Sequence, residues 1–130
     1  MMKKQIKFLA AVTAGAVLSL SSVITGLAAT GWVNNGTNWQ YYKADGTVAA
    51  NQWVKSGEYW YWIEASGVMG TNMWINNQNQ WYYVGEDGAS VKGWKQVNGK
   101  WYFFFNDFTM ASNTMIDSYK VGKDGAWVEG

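Results

Sequence analysis

The sequence predicts an all-β protein, a series of short β-hairpins stacked one after another behind a helical N-terminal leader. Three observations predict it. Tryptophans recur in pairs seven residues apart: Trp32 and Trp39, Trp53 and Trp60, Trp74 and Trp81, Trp94 and Trp101. Between the members of the first, second and fourth pairs lies an Asn/Gly or Ser/Gly turn signal flanked by aromatic and β-branched residues, the pattern of a hairpin. Six residues after each second Trp come Asp45-Gly46, Ser66-Gly67, Asp87-Gly88 and Asp107-Phe108, so three of the four keep a turn glycine. Self-similarity at a period of twenty or twenty-one residues implies units too small to bury their own apolar faces, which must stack.

Composition narrows what such an array can do. Ten Trp and eight Tyr in 130 residues are too many large rings to vanish into one small core. The absence of Cys and His removes disulfides, thiol nucleophiles, imidazole bases and the commonest metal ligands, so no metal or cofactor is expected. A formal net charge of +1 gives no reason to expect nucleic acid or an anionic membrane as partner.

Residues 1–29 read as a secretory signal peptide. Lys3, Lys4 and Lys7 form a basic start, Phe8 to Leu20 is mostly apolar, and Gly26-Leu27-Ala28-Ala29 offers small residues for cleavage. The apolar run is short for a membrane-spanning helix, which is the competing reading. Cleavage after Ala28 or Ala29 removes three of ten basic residues and none of nine acids, leaving a secreted chain of net charge −2 with no membrane segment.

Residues 30–130 then form one repeat domain with units at about 31–52, 53–73, 74–93, 94–114 and a divergent 115–130. A two-residue loop at Asn35-Gly36 would set Trp32 opposite Trp39, and the same register would set Trp53 opposite Trp60, giving each hairpin two indoles side by side on one face. The fourth unit carries its signal, Asn98-Gly99, one residue later, so there the loop has three residues or the register slips. Connectors such as Thr47 to Gln52 are too short for a helix and deliver the chain directly to the next hairpin, which makes a solenoid. Their apolar position, nine residues past the second Trp, is Val48, Met69, Ser90 and Met110 in turn.

Units such as Gly93-Trp94-Lys95-Gln96-Val97-Asn98-Gly99-Lys100-Trp101-Tyr102-Phe103, and Trp53 through Gly67-Val68-Met69-Gly70, closely resemble the choline-binding or cell-wall-binding repeats of Gram-positive bacteria and their phages. The stretch Ile116-Asp117-Ser118-Tyr119-Lys120-Val121 to Trp127-Val128 resembles the unit that closes such arrays. The resemblance implies a left-handed β-solenoid that anchors a secreted protein to the cell wall. It implies that choline of phosphocholine-bearing teichoic acid sits in the seam between hairpins, boxed by two aromatics of one unit, one of the next, and often the connector Met. Carried over on that basis, the second seam takes Trp53, Trp60 and Met69 closed by Trp81 or Tyr82. The fourth takes Trp94, Trp101, Met110 and Tyr119. The first takes Trp32 and Trp39 with Trp60 or Tyr61 but has Val48 at the Met position, and the third takes Trp74, Trp81 and Tyr102 but has Ser90. The second and fourth seams therefore rank first.

The chemistry suits that ligand, because a quaternary ammonium donates no strong hydrogen bond and is best held by ring faces. The same rings are also the only large apolar surface available, so each Trp is equally a core residue, and Met69 and Met110 are equally gap-fillers. The turn aspartates Asp45, Asp87 and Asp124 read as turn formers. A carbohydrate-binding (glucan-binding) module is the alternative, with Asn34, Asn35, Asn76, Asn77 and Gln78 as hydrogen-bonding partners beside the rings. An adaptor that captures another protein, and a homodimer through the end hairpins, also stay open. An enzyme is not expected: the carboxylates are scattered over turns and no nucleophile–base pair can be built.

Overall fold

The structure, a computed structural model, describes residues 30–129, and the signal-peptide reading lies outside them. The described residues contain strands and turns and no helix. In order they are β1 (Gly31–Asn34), β2 (Trp39–Tyr42), β3 (Gln52–Ser56), β4 (Tyr59–Ile63), β5 (Met73–Asn77), β6 (Gln80–Val84), β7 (Gly93–Val97), β8 (Lys100–Phe104), β9 (Thr114–Ile116) and β10 (Tyr119–Val121). Each odd strand pairs with the even strand that follows it, giving five two-stranded antiparallel hairpins.

The register corrects one expectation. Trp32 lies opposite Tyr41 and Trp39 opposite Asn34; Trp53 lies opposite Trp62 and Trp60 opposite Lys55. The paired tryptophans still share a face, because they sit diagonally, two residues out of direct opposition. The reason is the loop. Gly57 occupies the first loop position at φ +63°, with Ser56 and Tyr59 closing the ladder, so the turn is centred one residue later than a second-position glycine would put it. Asn98-Gly99 takes the same place between Val97 and Lys100, with φ +51° and +83°, and the positive φ at both residues matches the loop twist that hairpins favour. The fourth unit is thus the regular one: its loop has two residues and its register does not slip.

In the first loop the asparagines are used internally. Asn34 Oδ1 accepts from the Gly36 amide at 2.8 Å, and Asn35 Oδ1 accepts from the Asn38 amide at 3.0 Å. After each second strand the turn aspartates behave as expected. Asp45, Asp87, Asp107 and Asp124 each accept through Oδ1 from the amide two residues on, at 2.9 to 3.0 Å, and Ser66 Oγ does the same for Val68 at 3.3 Å. Where the other units have glycine after the aspartate or serine, Phe108 adopts φ +74° and is buried. A bulky residue in that region is strained, and burial of its ring offsets the cost.

A second set of corners was not anticipated. Gly31, Asn51, Asn72, Gly93 and Asn113, each at or just before the start of a hairpin, all have positive φ. Asn72 and Asn113 donate their amides to the Gly85 and Gly122 carbonyls at 3.0 and 2.9 Å. Asn and Gly are the residues that tolerate this conformation, so the corner is written in the sequence at the unit period.

A lone hairpin is marginal in water, so the packing between hairpins decides stability. The chain gathers into two compact bodies: 30–72 with Val84–Ala89, and Met73–Tyr83 with 90–129. The first buries Trp32, Ala49, Val54, Tyr61, Ile63, Met69 and Ala89, with Trp39, Tyr41 and Tyr59 around them. The second buries Tyr83, Val91, Val97 and Phe104, with Trp74, Tyr102 and Met110 against them. In both, the connector acts as a short third strand. Met69 bridges Ile63 of its own hairpin while its amide donates to the Trp39 carbonyl of the preceding one at 2.8 Å; Met110 bridges Phe104 and donates to Trp81 at 2.8 Å; Trp127 bridges Val121 and donates to Trp101 at 2.7 Å.

Candidate ligand-binding aromatic cages

That backbone pattern carries each connector side chain back onto the hairpin before its own. In the second body the result is two concave sites. One, of about 270 Å³, is lined by Trp74, Trp81, Tyr102, Met110 and Asp124. The other, of about 310 Å³, is lined by Trp94, Trp101, Tyr119 and Trp127.

In the first of these, Trp74 is held edge-on by its neighbours. Its ring centroid lies 5.1 Å from Tyr83, 4.8 Å from Tyr102 and 6.2 Å from Trp81, at interplanar angles of 68°, 76° and 87°. Edge-to-face contacts satisfy the ring quadrupoles and lock the ring in orientation. Trp81 is 44% exposed and forms the open side. Ala126 bridges the backbone of Tyr102, which brings the preceding Asp124-Gly125 to the cage, and Gly125 lies directly against the Met110 thioether.

The second site is built almost entirely of rings. Tyr119 lies 5.8 Å from Trp94 and 6.0 Å from Trp127, at 81° and 77°, while Trp101 stands 39% exposed. Trp127 takes the connector place that Met110 takes in the neighbouring cage. Sequence reasoning did not include it, although its place six residues past Val121 repeats the spacing of Met110 past Phe104 and would have found it.

The first body holds a closed counterpart. Trp32 meets Tyr61 edge-on at 5.3 Å and 76°, nearly the geometry of Trp74 with Tyr102, and Met69, Trp39 and Tyr59 join the same cluster. Ala89 bridges Tyr61, and Gly88 lies against Met69: a Cβ on Gly88 would come within 2.7 Å of its Sδ. Trp32, Tyr61 and Met69 are all nearly fully buried, so this cage is filled by its own atoms. Burial pushes the Tyr61 phenol pKa up, reinforced by the negative charge of Asp87 and by Tyr59.

These groupings correct the expected ones. Met110 belongs with Trp74, Trp81 and Tyr102, not with Trp94 and Trp101, and Met69 belongs with Trp32 and Trp39, not with Trp53 and Trp60. The cause is the hydrogen bond that the Met69 and Met110 amides each donate to the preceding hairpin, which shifts both thioethers one seam back. The third seam, placed below the second and fourth for want of a methionine, is the one that has Met110. The third ring beside Trp32 is Tyr61, not Trp60. Of the residues assigned to the second seam, Trp53 stacks edge-on against Trp62 at 5.1 Å, and Trp60 is 37% exposed with the Lys55 ammonium 6.0 Å from its ring centroid, both in the first body. Tyr82 belongs to the second body, where burial and then the negative charge of Asp107 raise its phenol pKa.

Residues 47–89 match the family model described as a choline-binding repeat, and residues 92–107 match a putative cell wall binding repeat. No curated protein sequence matches. Among solved structures the chain is similar to CbpJ from Streptococcus pneumoniae, at 38% identity and a TM-score of 0.66, over 77% of this chain and 34% of that one. It is similar to choline binding protein F from Streptococcus pneumoniae, in the presence of a peptidoglycan analogue, at 36% identity and a TM-score of 0.67, over 78% of this chain and 34% of that one. A multimodular pneumococcal cell wall endolysin from phage Cp-1, complexed with choline, aligns at 28% identity and a TM-score of 0.57, over 63% of this chain and 24% of that one. The chain therefore spans about a third of the length of the first two structures.

Proposed function

Because this chain belongs to the choline-binding repeat family, we propose that it is a non-catalytic cell-wall-binding protein that holds the choline of phosphocholine-bearing teichoic acids in its aromatic cages. The observation that carries this reading is the cage of Trp94, Trp101, Tyr119 and Trp127: an open cavity of about 310 Å³ walled by four rings. Such a wall suits a cation that lacks N–H groups. The trimethylammonium head offers methyl groups to the ring faces, gains from each ring quadrupole, and loses little hydration compared with a primary ammonium. The Trp74, Trp81, Tyr102 and Met110 cage supports the same ligand, with a polarizable thioether as one wall.

Each ring contributes roughly 0.5 to 2 kcal/mol, so one cage binds at about millimolar strength. Retention on a wall follows from several cages meeting a polymer that carries many cholines, since each later contact is effectively intramolecular. The residues read from the sequence as ligand contacts, Trp53 and Trp60 among them, are part of this proposal. So are secretion after removal of residues 1–29 and residence at the cell wall.

The test is retention on a tertiary-amine resin that mimics choline, with elution by free choline, alongside titration of Trp fluorescence with choline and with glucan oligomers. Binding to the resin and a saturable response to choline are expected. Passage straight through the resin, or a response to glucan alone, would refute the reading in favour of the carbohydrate module. That alternative is weakened by Asn34 and Asn35, whose side-chain oxygens are committed to their own loop.

A further inference from the structure

The two open cages differ in charge. The Trp94 cage has no carboxylate in its wall, whereas Asp124 lines the Trp74 cage beside Met110. Asp124 spends Oδ1 on the Ala126 amide at 3.0 Å, which fixes the carboxylate relative to the backbone that bridges Tyr102 and leaves Oδ2 for another partner. The same arrangement recurs in the first body. Asp87 spends Oδ1 on the Ala89 amide at 3.0 Å, Ala89 bridges Tyr61, and Gly88 lies against Met69. There the carboxylate is 8% exposed, and its Oδ2 is buried without a hydrogen-bond partner. A carboxylate oxygen in that condition is costly, and a positive charge brought alongside relieves it. Turn formation explains one oxygen of each aspartate and not the other.

We propose that Asp124 is a specificity-determining residue: its carboxylate makes the Trp74–Trp81–Tyr102–Met110 cage demand a formal positive charge. The Trp94–Trp101–Tyr119–Trp127 cage selects by shape and ring faces and accepts a neutral ligand of the same outline more readily. The inference rests on the cationic-ligand reading above and adds a division of labour between cages. One demands charge; the other tolerates uncharged groups, including the face of a sugar. On a wall polymer, the carboxylate cage also disfavours the phosphate side of the ligand by like-charge repulsion, so it orients phosphocholine with the ammonium inward.

The experiment titrates the full chain with choline and with its neutral carbon isostere, 3,3-dimethyl-1-butanol. The indole N–H NMR signals of Trp81 and Trp101, assigned through W81F and W101F, report each cage separately. The ratio of choline to isostere affinity is expected to be greater at Trp81 than at Trp101. In D124N, whose amide oxygen still accepts the Ala126 bond, choline weakens roughly fivefold at Trp81 while the isostere is unchanged there and both ligands are unchanged at Trp101. In the wild-type chain, raising the ionic strength weakens choline more at Trp81 than at Trp101. Equal ratios at the two cages, loss of both ligands alike in D124N, or equal salt dependence would overturn the inference while leaving choline binding intact. If neither indole responds to choline, the proposed function itself fails, and this inference falls with it.

Discussion

Replacing Gly125 by Ala separates what the turn needs from what the cage needs. Gly125 has φ +85°, and a Cβ there would stand 2.6 Å from the Met110 Cε. Gly99 is its control: φ is +83°, and a Cβ there would meet nothing within 4 Å. Both substitutions carry the backbone cost of placing an L-residue at positive φ, about 1 to 2 kcal/mol. Only G125A also forces a neighbour to move. That neighbour is the free end of a methionine, which can swing aside cheaply, so the added loss of stability is small, about 1 kcal/mol at most. The swing, however, removes one wall of the Trp74 cage or pushes the thioether into its cavity. Urea unfolding should therefore find the two variants within about 1 kcal/mol of each other. Choline titrations read at Trp81 should show a several-fold loss in G125A and none in G99A. Equal affinities at Trp81 would mean that Met110 is not part of the cage and that its contact with Gly125 is packing alone.

Three other outcomes follow from the same geometry. Trp127→Ala should weaken choline at Trp101 by about 1 to 2 kcal/mol, the worth of one ring, while Trp81 keeps its affinity, as site-resolved NMR would reveal. Thr109 donates its hydroxyl to Asp107 at 2.6 Å and its amide at 3.0 Å, and these bonds, the hydroxyl first, hold the carboxyl below its usual 3.8. A depressed folded-state pKa gives stability that is present above the ordinary value and lost as pH falls through the folded one. Thr109→Val should accordingly raise the Asp107 carboxyl back towards 3.8 in a carbon-detected NMR titration. Phe108→Ala should destabilise by about 3 kcal/mol in urea unfolding, since it keeps the positive φ and discards the buried ring.

Much of this was legible because hairpins advertise themselves locally. The five pairs of strands, the turn aspartates and the shared face of each Trp pair all follow from neighbours within a dozen residues. The register was not, since Gly57 suits either loop position and only the closed ladder between Ser56 and Tyr59 chooses the first. Asn98-Gly99 carried the right answer but looked like the exception beside Gly36 and Gly57. The placement of Met110 was hidden for a different reason. Which hairpin a connector touches is set by the Met110 amide reaching the Trp81 carbonyl twenty-nine residues back, and no spacing within one unit encodes that. Trp127 was missed for another reason: it lies beyond the last recognisable Trp pair, although its spacing past Val121 repeats that of Met110 past Phe104.

The backward reach of the connectors has a genetic consequence. The Trp74 cage takes its two indoles from one repeat, its tyrosine and methionine from the next, and its aspartate from the one after, and the closed cage at Trp32 spans three repeats in the same way. The stretch of gene that is duplicated is therefore not the stretch that encodes a site. An in-frame copy of one repeat inserted inside such an array adds one complete cage, whereas even the Trp94–Trp101–Tyr119–Trp127 cage draws on two repeats, so the first repeat of a new array yields none. Lengthening is rewarded at once and founding is not, which favours growth of existing arrays over the appearance of short ones.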